Sequence, residues 1–119
     1  MVVQRMPYGW ASEGMKFLAY NSSMEIEKLL KAQKEQILAI ARKNGAYDVR
    51  VFGSVSRGET RPDSDIDFLV NLEAGRSLLD LARLLRELET LLGLPVDVVT
   101  EAGLRARIRP QVLKEARPL

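Results

Sequence analysis

Val51-Phe-Gly-Ser-Val-Ser-Arg-Gly-Glu-Thr-Arg-Pro-Asp-Ser-Asp-Ile-Asp-Phe-Leu-Val70 reads as two apolar strands joined by a Gly-Ser turn, a short helical turn closed by Gly58 and a polar loop. In the second strand Ile66, Phe68 and Val70 share one face, which puts Asp65 and Asp67 together on the other. Clustering acids there is costly, because like charges ~4 Å apart repel by roughly 4 kcal/mol at an effective dielectric of 20. A third acid recurs in Pro95-Val-Asp-Val-Val-Thr100, a strand in which Val96 and Val98 face one way and Asp97 and Val99 the other. Any one of these acids alone reads as a solvated edge residue. Three of them in two strands otherwise made of Val, Ile, Leu and Phe favour a metal site.

The rest of the chain narrows the chemistry. At 119 residues, with 46% hydrophobic and 29% charged residues, it has the size and composition of one ordinary globular domain. It is too short for a second substrate-binding domain, so an acceptor substrate must be held largely by something else. No apolar run approaches the ~20 residues of a membrane span, and no secretory signal centre is evident; the expected location is the cytoplasm. A formal charge of +2 permits a phosphate-bearing ligand without implying direct nucleic-acid binding. Cysteine and histidine are both absent. Thiolate zinc sites, cysteine nucleophiles and histidine general bases are thereby excluded from within the chain, and carboxylate oxygens remain as metal ligands, a donor type suited to magnesium, manganese or calcium.

Along the chain, Met1 to Ser23 shows no periodicity and is expected to be a flexible N-terminal arm, with the folded domain spanning 24–119. Ser22 to Glu25 forms a capping-box pattern, after which Ile26, Leu29, Leu30, Ile37, Ile40 and Ala41 predict one amphipathic helix up to Gly45. Tyr47–Phe52 reads as a strand. Leu78, Leu81, Ala82, Leu84, Leu85, Leu88, Leu91 and Leu92 predict a second helix, capped by Ser77 and stopped at Gly93. Pro110 opens a last helix with Val112, Leu113 and Ala116 inward. Arg105, Arg107 and Arg109 form the one basic cluster, read as a solvated face.

Magnesium is usually bound by one or two carboxylates plus substrate phosphates. The Gly53-Ser54 turn suits the phosphates: Gly53 lets the backbone approach closely, and Ser54 opens a helical turn with free N–H groups and a hydroxyl. Gly53-Ser54, ten further residues, Asp65-Ile-Asp67, and an aspartate on a later strand at Asp97 together resemble the signature of the DNA polymerase beta-like nucleotidyltransferase superfamily. The short length and the run Val-Phe-Gly-Ser-Val-Ser-Arg-Gly are similar to the minimal nucleotidyltransferase (MNT) family, small partners of HEPN-domain proteins.

The resemblance covers about Ile26 to the C-terminus. It implies an α+β nucleotidyltransferase fold, a small mixed sheet of about three to four strands backed by helices. It further implies that Asp65, Asp67 and Asp97 are catalytic and hold two Mg2+ ions, and that Gly53 and Ser54 bind the triphosphate of ATP, with Arg57 a further contact. The implied reaction is AMP transfer to a tyrosine hydroxyl of a partner HEPN toxin with release of pyrophosphate, the role of an antitoxin. Two alternatives stand beside it: a non-catalytic module that neutralises its partner by occlusion, and nucleotidyl transfer to a small molecule. The residues leave oligomeric state and base preference open.

Overall fold

Strand β1 (Ala46–Phe52) lies at the centre of the molecule, one residue longer at its start than the apolar run suggests. In this computed structural model, which describes residues 25–59 and 65–119, β1 is flanked by β2 (Ile66–Leu72), followed by β3 (Val96–Thr100), and on its other side by β4 (Arg117–Pro118). The order is β3-β2-β1-β4. β1 runs antiparallel to β2 and β4, and β2 runs parallel to β3. The α+β class and the mixed sheet of up to four strands match the expectation from sequence. β4 itself carried no signal: it is two residues long and includes Pro118, which an edge strand tolerates because no ladder N–H is required there.

One irregularity sets the alignment of the sheet. Ala46 pairs with Leu72 and Tyr47 with Asn71, but beyond them Arg50 pairs with Leu69, Val51 with Phe68 and Phe52 with Asp67. The register therefore gains one residue on β1. The extra residue is a bulge around Asp48, whose φ of 56° is left-handed, a conformation that Asp tolerates better than most residues. Asn71 Nδ2 donates to Asp48 Oδ2 at 3.3 Å and Arg50 Nε to the Asp48 carbonyl at 3.1 Å, fixing the bulge from two sides. Without it Phe52 would face Ile66 instead of Asp67.

The helices are residues 25–32 (α1), Lys34–Lys43 (α2), Ser54–Arg57 (α3), Leu78–Leu92 (α4) and Arg109–Glu115 (α5). The single helix expected up to Gly45 is thus two, interrupted at Gln33, where φ is −104° and ψ 10°. Its expected capping box begins at Ser22, outside the described residues, as does the expected arm over 1–23. α4 is the crossover that parallel β2 and β3 require. Leu79 N–H donates to the Ser77 hydroxyl and Ser77 N–H to the Asp80 carboxylate, a full capping box, while Gly93 closes the helix at φ 70°. Leu78, expected inward, is 81% exposed; the packed face starts a turn later, at Leu81, and continues through Leu84, Leu88 and Leu92. In α5 Val112 is buried as expected, but Leu113 is exposed and Ala116 falls just beyond the helix.

Helices cover one face of the sheet. Val49, Val51, Ile66, Phe68, Val70, Val96 and Val98 pack there against Ile37, Ala41, Leu84, Leu88 and Leu92 in one apolar cluster. Asn44, at the C-terminal end of α2, is the buried polar residue among those described, only 1% exposed. Its Nδ2 donates to the Ile40 carbonyl at 2.9 Å and to Glu87 Oε1 at 2.8 Å, and its Oδ1 accepts from Arg83 at 3.4 Å. Lys43 holds the other oxygen of Glu87 at 2.8 Å. α2 and α4 are thereby clasped by polar groups whose hydrogen-bonding capacity is met. Asn44→Ala should remove the buried link from the end of α2 to Glu87 and Ile40 and cost about 1–3 kcal/mol, against about 1 kcal/mol for the cap variant Ser77→Ala, both read by urea denaturation.

Candidate nucleotide and metal site

The face of the sheet away from the helix layer carries the acids. Asp67 lies opposite Phe52 of β1 on one side and Asp97 of β3 on the other, so Asp67 and Asp97 project from neighbouring strands roughly 4.8 Å apart. Asp65 stands immediately before β2; it and Asp97 are exposed, and Asp67 is partly buried. All three predicted acids are brought to one end of one sheet face. The valine and isoleucine residues alternating with them hold the strands to the helix layer, which is why the acids have no choice of side.

The turn leaving β1 sits directly against them. Gly53 has φ 74° and ψ −145°, a region closed to residues with a side chain, and a Cβ placed there would collide with Oδ2 of Asp67. Glycine is required twice over, by backbone conformation and by the approach of the carboxylate. α3 follows, anchored by buried Val55 and ended by Gly58 at φ 70°. Glu59 N–H donates to the Ser54 carbonyl at 2.8 Å, closing the turn on itself. Asp63 and Ser64, read as loop, lie outside the described residues.

The electrostatics follow from this placement. Burial, then the charge of Asp97, then that of Asp65 push the Asp67 carboxyl up to about 6, with Arg57 opposing them. Arg57 is therefore near enough to act on Asp67, but its guanidinium is already engaged. Nε meets Glu59 Oε1 at 3.0 Å, and Nη1 meets both carboxylate oxygens of Glu115 at 3.0 Å. Glu115 was missed in the sequence, where it looks like any acid on a short helix. It also accepts from Gln111, at 2.6 Å, while the Ser56 hydroxyl donates to its carbonyl. Gln111, then Arg57, hold the Glu115 carboxyl below the usual range against partial burial.

Of the basic cluster, Arg109 is drawn to Glu101, donating to its carbonyl at 2.7 Å, and Glu101 also pairs with Arg50 at 2.9 Å. Arg105 and Arg107 line a groove of about 390 Å³ with Val99, Leu104 and Ile108.

A divalent cation fits this donor set. Its ligands would be carboxylates alone, and the raised Asp67 carboxyl marks a place where a positive charge relieves both repulsion and burial. Among the described residues no three acids are already drawn into a closed ligand shell; what is in place is the strand register that aligns Asp67 with Asp97.

Comparison with known proteins bears on the same residues. A nucleotidyltransferase domain family model matches residues 33–119. The protein adenylyltransferase MntA of Thermococcus cleftensis is 43% identical over 91 residues, 76% of this chain and 89% of that protein. A solved structure described as a candidate minimal nucleotidyltransferase is 56% identical and superposes with a TM-score of 0.71 over 77% of this chain and 94% of that one. A toxin-antitoxin crystal structure with AMP-PNP shares the fold at 24% identity, with a TM-score of 0.62 over 71% of this chain and 69% of that one. With a family model matching most of its length and relatives of this identity, the chain belongs to the nucleotidyltransferase domain family, among its minimal members.

Proposed function

We propose that this protein is the antitoxin of a toxin-antitoxin pair and acts by transferring AMP from ATP to a tyrosine hydroxyl of a partner HEPN toxin. The observation that carries the reading is the register Phe52–Asp67–Asp97, which sets the Gly53 turn against two aligned carboxylates. Ser54 and the amides of its turn would hold the β- and γ-phosphates. Asp65, Asp67 and Asp97 would hold two magnesium ions, which when bound neutralise the triphosphate and polarise the α-phosphate. The acceptor oxygen bonds to the α-phosphorus as the bond to the bridging oxygen on the β-phosphorus breaks. Pyrophosphate leaves, and Asp97, exposed at the sheet edge, takes the acceptor's proton. A transfer of this kind is mostly positioning and charge neutralisation, which explains how a chain without histidine or cysteine can perform it. Likeness to MntA supports a protein as acceptor.

The test is to incubate the protein with labelled ATP, magnesium and the protein that copurifies with it. Label should move to the partner, and Asp65→Asn or Asp67→Asn should reduce transfer by at least about a hundredfold, the usual scale for losing a group that stabilises transition-state charge. Transfer indifferent to both substitutions would refute the reading. Neutralisation of the partner that survives replacing all three aspartates by asparagine would instead favour occlusion.

Stability should move the opposite way. The folded-state carboxyl of Asp67 lies above its ordinary value of 3.8, at about 6, so the folded protein holds this proton longer than the unfolded chain does. The stability associated with the neutral form is complete below about pH 4 and is lost as pH rises through about 6. In metal-free buffer above pH 6, Asp67→Asn is therefore expected to be more stable than the wild type by about 1 kcal/mol after allowing for solvent screening, with the difference vanishing near pH 4. Thermal melts across that range check it. Magnesium with ATP should raise the wild-type melting temperature and leave that of Asp67→Asn nearly unmoved.

A further inference from the structure

We infer that Glu115 is a positioning residue for the triphosphate-binding turn, a role that rests on reading Gly53–Arg57 as that turn. Contacts from two residues of the turn converge on this one residue. Both oxygens of its carboxylate accept from Arg57 Nη1 at the end of the turn, while its carbonyl accepts from Ser56 one residue before. The side chain is only 14% exposed, so the pair with Arg57 is shielded on the Glu115 side, and Gln111 fixes the carboxylate one helical turn earlier.

What makes Glu115 an anchor is the strand that follows it. Arg117 and Pro118 pair with Val51 and Arg50 of β1, and Arg117 forms an ion pair with Glu27 of α1. The C-terminal end of α5 is thus tied to the same strand that feeds the turn, and Glu115 spans the gap between them. The turn itself has little else to shape it. Gly53 and Gly58 both have left-handed φ, and the helix between them is four residues long. A glycine-flanked turn held only by buried Val55 and its own amides would sample other shapes, and each would lower the fraction of protein ready for phosphates. Glu115 selects one. It also orients Arg57, whose Nε is given to Glu59 and Nη1 to Glu115 and which is a cation close enough to act on Asp67.

The role predicts a kinetic signature that a purely structural acid would not give. A residue that readies the turn contributes equally to ground-state and transition-state binding of the triphosphate, so its loss should raise the KM for ATP and leave kcat little changed. Steady-state transfer and direct ATP titration, each with magnesium, should show Glu115→Ala raising KM and Kd by about tenfold, the scale of one charge-assisted hydrogen bond. Glu115→Gln keeps one acceptor oxygen but loses the charge facing Arg57 and turns the other oxygen into a donor, so it should fall between the two. Adding Arg57→Ala to Glu115→Ala should cost less than the two losses taken separately, since the pair acts as a unit. The amide resonances of the Gly53–Gly58 turn should shift and exchange faster with water in Glu115→Ala than in Glu115→Gln. A Glu115→Ala protein that melts early yet binds ATP with wild-type Kd would overturn the assignment, as would a loss confined to kcat. A wild-type protein that binds no ATP at all would instead overturn the reading of the turn, and the role of Glu115 with it.

Discussion

The alignment of three neighbouring strands is the constraint on which everything else in this molecule depends. Phe52, Asp67 and Asp97 stand abreast on β1, β2 and β3, and a strand slip of one residue would turn the acids into the helix layer. The register is held on one face by valine, isoleucine and phenylalanine buried against the helices. On the other face it is adjusted by a single extra residue at Asp48. The bulge spends local regularity to bring the end of β1, and hence the turn at Gly53, level with Asp67. Bulges beside functional sites commonly re-aim a side chain; here the bulge re-aims a whole turn.

The same arrangement places function against stability. A sheet of this composition would be more stable with a neutral polar residue at Asp67, whose carboxyl is half withdrawn from water and faces two like charges. Such a cluster persists where a ligand repays it. Elsewhere in the fold charges are satisfied locally: Asp80 by its cap and two arginines, Glu87 by Lys43 and Asn44, Glu101 by Arg50 and Arg109. Among the described residues, the acids at the end of β2 and β3 face one another, with Arg57 opposing them on Asp67. That contrast separates a site from an ordinary charged surface.

Much of this was legible beforehand because it is local. Alternation told which side of β2 and β3 the aspartates occupy, and Ser77 and Gly93 bounded α4 through capping chemistry that depends on a few adjacent residues. What could not be read is set by partners far away in the chain. β4 is a strand only because β1 presents an open edge. Gln33 interrupts what periodicity reads as one helix. Leu78 has the spacing of a core residue, yet lies before the point where α4 meets the sheet. Glu115 is the fullest case, since nothing on its own helix marks it, and its partners Ser56 and Arg57 are about sixty residues earlier.

The central claim is that the carboxylate row and the Gly53 turn form one metal–nucleotide centre. Anomalous scattering from crystals grown with manganese and a non-hydrolysable ATP analogue addresses it most directly. The account predicts manganese between the carboxylates of Asp67 and Asp97, with the triphosphate running from there onto the amides after Gly53. Nucleotide seated elsewhere on the molecule, or manganese absent from those two carboxylates while the nucleotide is bound, would contradict it.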